Sequence, residues 1–164
     1  MFNYCPDEVV VLLAGIIKVT GLIDGTFINI DKDVMPYIST RTADGTVARL
    51  YQKDQTYTIT LTLSSASDSN DLLTKLQRVD EITQLGKFPI LLKDLSGSDL
   101  FFSATSWIEK IPSMTKSKGI DARVWTIRSS SAIINIGGNS EASGIIDDIV
   151  NIATAALPAI DGVL

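Results

Sequence analysis

Strict alternation between threonine and bulky apolar residues is the feature that most restricts the fold of this chain. It runs through Thr56, Tyr57, Thr58, Ile59, Thr60, Leu61, Thr62 and Leu63. Successive side chains of a β-strand point to opposite faces, so a period of two predicts a strand with one polar and one buried face. Burying the apolar set would give gross stabilisation of about 6 to 12 kcal/mol, which a one-residue slip in register would forfeit. The segment therefore requires a sheet with a core on one side.

Short apolar runs bounded by glycine, proline or aspartate predict further strands. They lie at 9–13, 16–19, 26–30, 88–92, 100–111, 120–128 and 132–136. The chain has 164 residues, of which 45% are hydrophobic, and this suits one domain with its own core. Most of the predicted elements are thus strands.

A single segment of the sheet-forming region has helical periodicity instead. Leu72 and Leu76 belong to an apolar stripe, Asp68 or Ser69 can cap the first turn, and Gly86 can stop the helix. The predicted helix covers about 69–85. Strands with one helix predict a mainly β fold, a small β-barrel or sandwich flanked by that helix.

Residues 34–53 differ from the rest because they show no continuous core face. Asp44 and Gly45 lie between two short stretches and predict a hairpin with a tight primed turn, because this pair tolerates positive φ angles. Arg41 and Arg49 flank the turn, and isolated arginines beside many acids are typical of ion pairs between subunits. We expect an extended, polar arm.

The last segment, 140–164, has no lysine, arginine or aromatic residue. Its isoleucines fall on one broad face of a possible short helix that Pro158 would limit. These residues are Ile145, Ile146, Ile149 and Ile152. Helices that lie on a membrane surface typically have a basic face, and this segment has none. We therefore expect this extension to pack against an adjacent subunit.

Catalytic chemistry has few candidate residues here. The chain contains no histidine, which removes Ser-His and Cys-His pairs and the commonest metal ligand. Cys5 is the single cysteine, so an intrachain disulfide is impossible and a reducing compartment is expected. Paired carboxylates such as Asp80 and Glu81 lack a diagnostic spacing. We expect no enzyme activity, no cofactor and no metal site.

Charge and hydropathy limit the classes of partner that this chain can bind. The formal charge of −5 argues against a protein that grips nucleic acid through its phosphates. Trp107 and Trp125 could stack on bases, but with this charge they fit better as core or interface anchors, together with Leu72 and Leu76. The longest apolar run, 9–17, is too short to span a membrane and no basic segment precedes it.

Several short segments, in this order, resemble the tail tube proteins of contractile-tailed bacteriophages. They are Asp24-Gly25-Thr26-Phe27, Ala43-Asp44-Gly45-Thr46-Val47-Ala48-Arg49, Thr60-Leu61-Thr62-Leu63, Ser69-Asn70-Asp71-Leu72, Asp80-Glu81, Gly86-Lys87-Phe88-Pro89, Lys93-Asp94-Leu95-Ser96-Gly97, Trp107-Ile108, Arg123-Val124-Trp125 and Gly137-Gly138-Asn139. Each motif is weak alone, but the collinear set covers nearly all of residues 5–139.

This resemblance implies a domain over 1–139 and a C-terminal extension over 140–164 that the family pattern does not include. It implies hexameric rings stacked into a tube, with DNA and the tape-measure protein in the lumen, the sheath outside, and the arm reaching a neighbouring ring or subunit. The expected location is the virion tail, assembled in the bacterial cytoplasm without a membrane. A tail terminator and a tube resembling that of type VI secretion remain alternatives, and a small acid-base enzyme is the remaining one.

Overall fold

The computed structural model describes residues 5–138. The expectations for Ile145, Ile146, Ile149 and Ile152 lie outside these residues. Within them the strands are β1 (Val9–Leu13), β2 (Ile17–Lys18), β3 (Ile28–Lys32), β4 (Tyr37–Arg41), β5 (Val47–Tyr51), β6 (Tyr57–Ser64), β7 (Phe88–Asp94), β8 (Leu100–Lys110), β9 (Ala122–Ser129) and β10 (Ile133–Asn135). The helix, α1, is Ser69–Thr83. The prediction of a mainly β fold with one flanking helix is confirmed.

Antiparallel pairing joins most strands into one sheet. Its order is β2-β1-β7-β8-β9-β6-β3, and β10 pairs with β8 beside the end of β9. Leu22 bridges to Leu63 on β6, so the chain leaving β2 at one end of the sheet reaches the other end. The sheet is therefore rolled into a sandwich-like body, although the strand path does not close into a barrel.

The alternating segment forms β6, and its apolar residues lie in the core. Tyr57, Ile59, Leu61 and Leu63 are all buried, while the intervening threonines are partly exposed. β6 pairs with β9 on one side and with β3 on the other, and this double pairing fixes the register of β6. The period of two in the sequence thus corresponds to a strand that has a neighbour on each side and one buried face.

Helix α1 ends earlier than its glycine suggests. Gln84 takes the left-handed conformation, with φ of 58°, and its N–H donates to the Asp80 carbonyl. Gly86 lies where the chain passes close to the helix again, because a Cβ there would lie 2.3 Å from Asp80 Cβ. Its N–H donates to Asp80 Oδ1 at 3.0 Å. The predicted stop residue is therefore wrong by two positions, and Gly86 instead permits close return of the chain to the helix.

Residues 5–138 contain no helix that is long and apolar enough to cross a membrane.

Candidate assembly surfaces

The arm is a separate structural unit. β4 and β5 form their own two-stranded sheet, joined to the body through short stems at 33–36 and 52–56. Two backbone hydrogen bonds organise these stems: Asp33 N–H donates to Thr56 O at 3.0 Å, and Gln52 N–H donates to Pro36 O at 2.9 Å. Every residue of β4 and nearly every residue of β5 is exposed. The hairpin therefore projects from the body.

One side of the hairpin, its cationic face, combines aromatic rings with arginine. The rings of Tyr37 and Tyr51 pair across the strands with centroids 5.5 Å apart. The Arg49 guanidinium lies over the Tyr37 ring, 4.0 Å from its centroid, and Arg41 is on the same face opposite Val47. Stacking on an aromatic ring holds a guanidinium in place while leaving its N–H groups available to an acceptor.

The opposite side, its apolar face, is made by Ile38 and Leu50, with Thr40 and Ala48 next to them. Ile38 is 43% exposed and Leu50 is 51% exposed. An isolated two-stranded hairpin is only marginally stable in water, and these two side chains leave apolar surface exposed on it. The arm was predicted to be polar, and this prediction missed the apolar face. The alternation of apolar and polar residues around Ile38 and Leu50 could have indicated it.

The turn of the hairpin differs from the predicted primed turn. Only Gly45 has a positive φ in this turn, at 87°, whereas a primed turn of this kind needs two such residues. Thr42 N–H donates to Thr46 O at 2.9 Å, which leaves three residues in the loop. This is a type I turn followed by a glycine bulge, the common alternative use of an Asp-Gly pair.

Asp44 organises that turn through its carboxylate. The Thr42 and Thr46 hydroxyls donate to Asp44 Oδ1, and the Thr46 N–H donates to the same oxygen at 3.2 Å. These bonds, led by that from the Thr42 hydroxyl, lower the pKa of Asp44 from 3.8 to about 2. Hydrogen bonds favour the charged form they solvate, so the turn is built around an ionised carboxylate.

The predicted anchor residues are distributed between the core and the surface. Trp125 is 2% exposed, and its Nε1–H donates to Asn70 Oδ1 at 2.9 Å. Trp107 is partly exposed on β8, while Leu72 and Leu76 are partly buried on α1. The deepest residue of the helix is a different leucine, Leu73, which has no exposed surface.

A groove runs along the open side of the body, and we call it the seam groove. It consists of adjoining depressions of about 570, 250 and 200 Å³. The first two share Val9 and Phe27, and the last two share Ile28 and Leu92. One wall is β3 with the loop before it, and the other is formed by β1, β7, β8 and β10. Such a groove can receive a chain segment.

No arrangement for metal chemistry is present in residues 5–138: no group of three or more carboxylate or cysteine side chains there could hold an ion. The surfaces that stand out are instead the arm, the seam groove and the exposed end of α1. At that end Val79, Ile82 and Leu85 are 50%, 79% and 80% exposed. These features suit packing against other chains.

Comparison with known proteins finds a similar protein from a phage. Structural protein ORF10 of Pseudomonas phage KPP10 is 29% identical over 148 residues, which cover 86% of each chain. No protein-family model matches the chain. Over most of its length, then, the chain is similar to a structural protein of a phage.

Two solved structures have a similar fold. A chain of the anti-feeding prophage cap, the cap that terminates the tube, aligns with a TM-score of 0.52 at 15% identity, covering 82% of this chain and 92% of that one. A chain of the extended sheath-tube complex of an extracellular contractile injection system aligns with a TM-score of 0.50 at 16% identity, with the same coverage. At these identities the likeness establishes the fold.

Proposed function

We propose that this protein is a structural subunit of a phage tail tube. In this proposal hexameric rings stack into a conduit for DNA and the tape-measure protein, with the sheath outside. The observation that carries it is the projecting hairpin, which exposes Ile38 and Leu50 on one face and Arg41 and Arg49 on the other. In a monomer the apolar face of such an arm stays in water and does not add to stability. In an assembly a neighbouring subunit can cover that face and form ion pairs with the arginines.

The comparisons support a structural role of this kind. The similar phage protein is named as structural, and the similar folds come from a tube-terminating cap and a sheath-tube complex. A packing role explains the exposed apolar side chains and requires no reaction.

A tail terminator that closes the tube is the second candidate. The likeness to a tube-terminating cap favours it directly. The two candidates share a fold and differ in how the rings associate. A repeating tube subunit must bind its own kind on both faces of the ring, whereas a terminator binds other tail proteins on at least one face.

Electron microscopy of the purified protein separates the candidates. Long tubes are expected for a tube subunit and single closed rings for a terminator. Monomers that fail to join any ring or tube, alone or with their tail partners, would refute both.

The role of the arm is tested by the double variant Ile38→Ser and Leu50→Ser. Both side chains are about half exposed, so the body should keep its circular dichroism spectrum while assembly, followed by light scattering, is lost. Ile120→Ser is the matched control, because Ile120 is 73% exposed in a loop outside the arm. Normal assembly of the double variant would contradict an interface role for the apolar face.

A further inference from the structure

The part of the seam groove next to β10 is an apolar receptor without an occupant among residues 5–138. It is lined mainly by Ile28, Ile30, Leu92, Phe101, Ile134 and Ile136. Asp99 is the charged residue in this lining, and its carboxylate already accepts a hydrogen bond from Gly137 N–H at 2.7 Å. The depression has a volume of about 200 Å³, which suits aliphatic side chains more than a polar ligand.

The chain leaves the described region at the rim of this same depression. Gly138 N–H donates to Ser98 Oγ at 3.1 Å, and Ser98 N–H donates to Gly138 O at 3.1 Å. A Cβ at Gly137 would lie 1.7 Å from Ser98 Oγ, so glycine is what allows this close approach. The exit point is thus fixed against the turn that precedes β8.

We propose that the C-terminal segment 139–164 of the same chain occupies the seam groove with its isoleucines. Between Gly138 and Ile145 the sequence is Asn-Ser-Glu-Ala-Ser-Gly, a short linker of small and polar residues. A flexible linker of this length has a typical reach of about 14 Å, whereas the Ile28 to Ile30 wall of the groove is only about 7 Å long. The isoleucines therefore begin within reach of the groove.

The chemistry of the segment matches the receptor. Ile145, Ile149 and Ile152 can present one aliphatic face, and Asp147 and Asp148 belong to another face that can remain in water. The segment has no lysine or arginine that would seek an acidic partner elsewhere. Aliphatic side chains entering an aliphatic groove remove apolar surface from water on both sides.

Attachment at the rim favours the segment's own groove over that of a neighbour. A short flexible tether holds a segment near its receptor at an effective concentration in the millimolar range, which free subunits rarely reach. The sequence alone led to the expectation of an adjacent subunit. The position of the exit point is the new observation that favours the same chain, and the proposal is independent of whether the protein forms tubes or caps.

Cysteine cross-linking in the full chain tests the proposal. With Cys5→Ser as background, Asn29→Cys on the groove wall is combined with Ile145→Cys, Ile149→Cys or Ile152→Cys, and a short bismaleimide is added. The expected product for at least one pair is a cross-linked monomer whose yield does not change on dilution. Ile120→Cys replaces Asn29→Cys in the matched control, because Ile120 is exposed and lines none of the three depressions.

Two cross-linking results would overturn the proposal. One is a monomer yield no higher than that of the Ile120→Cys control. The other is a covalent dimer whose yield falls on dilution, because it would place the segment on a neighbouring subunit.

Hydrogen exchange provides a second measurement that needs no new cysteine. In the full chain, Ile145→Asp with Ile149→Asp should speed exchange of peptides covering β3 and β10 by about tenfold, as release from a groove occupied nine-tenths of the time would. Peptides of β9 are the internal control. Unchanged exchange of β3 and β10 in the folded variant would also overturn the proposal.

Discussion

Asn70 is the residue that joins three parts of the body through one side chain. Its Oδ1 accepts from Trp125 Nε1–H, while its Nδ2 donates to Ser64 O at 2.8 Å and to Ser67 O at 3.0 Å. The start of α1, the end of β6 and the middle of β9 are thereby linked. Asn70 is only 8% exposed, so these groups have no ready access to water.

Replacing Asn70 with leucine should be costly because it leaves the Trp125 Nε1–H buried without a partner, although the Ser64 and Ser67 carbonyls keep their bonds from backbone N–H groups. We expect the free energy of unfolding to fall by about 1 to 3 kcal/mol, the cost of one unpaired buried group. Chemical denaturation followed by Trp fluorescence measures the change. The matched control is Gln55→Leu, because Gln55 is exposed, and this variant should stay within about 0.5 kcal/mol of the parent. Equal stability of the two variants would show that the Asn70 network contributes little.

Asp44 should make the arm turn sensitive to acid. Its pKa is lowered from 3.8 to about 2 in the folded turn, so the carboxylate stabilises the turn fully above its ordinary pKa and the effect disappears as pH falls through about 2. NMR titration of the Asp44 carboxyl should give a midpoint near 2, with the arm amides losing order over the same window. Asp44→Asn should remove this dependence, and Asp24→Asn should not. A midpoint at the ordinary value would contradict the turn geometry.

The Asp-Gly pair also shows what a single residue pair can and cannot predict. It correctly indicated where the chain reverses, because Gly45 does need a positive φ of 87°. It did not determine the turn type, because a two-residue primed turn and a three-residue loop with a glycine bulge both place glycine there. The choice was made by Thr42 and Thr46, whose hydroxyls converge on the Asp44 carboxylate.

At the scale of elements, sequence patterns predicted a strand or helix well wherever one face of that element is buried. β6 was predictable because its alternation reflects complete burial of Ile59, Leu61 and Leu63. β3 was harder to delimit: the predicted strand ended at residue 30, yet Asp31 and Lys32 continue it by pairing with Thr58 and Tyr57. Backbone pairing with a neighbour can override the preference of a charged side chain, and no local pattern records it.

The arm and β6 should differ sharply in local stability. The arm rests on its own two-stranded pairing and exposed side chains, whereas β6 is paired on both sides over a buried core. In the free subunit, amides at 37–51 should therefore exchange through local opening and those of β6 only through global unfolding. Hydrogen exchange with mass spectrometry compares them. Assembly should slow the arm, with β6 as the unchanged reference, and an arm equally protected in both states would count against its interface role.

At the scale of the whole molecule, the strand order was beyond the reach of sequence patterns. β1 pairs with β7 and β3 with β6, so the sheet depends on contacts between distant parts of the chain. The buried hydroxyls of Ser103 and Ser129 were overlooked for the same reason: Ser129 Oγ donates to Ser103 Oγ and Ser103 Oγ donates to Ser131 O at 2.8 Å, and these contacts exist only after β8 and β9 align. Periodicity identifies the strands, and long-range pairing decides their neighbours.

The two-stem attachment of the arm has a mechanical consequence. Both strands of the hairpin are anchored in the body at their roots, at 33–36 and 52–56, and they meet at the tip near Gly45. Tension applied at the tip is shared by two covalent backbones in parallel. Such tension neither shears the hydrogen bonds between β4 and β5 nor breaks them one after another. Under load, a noncovalent grip on the tip would release before the hairpin itself comes apart.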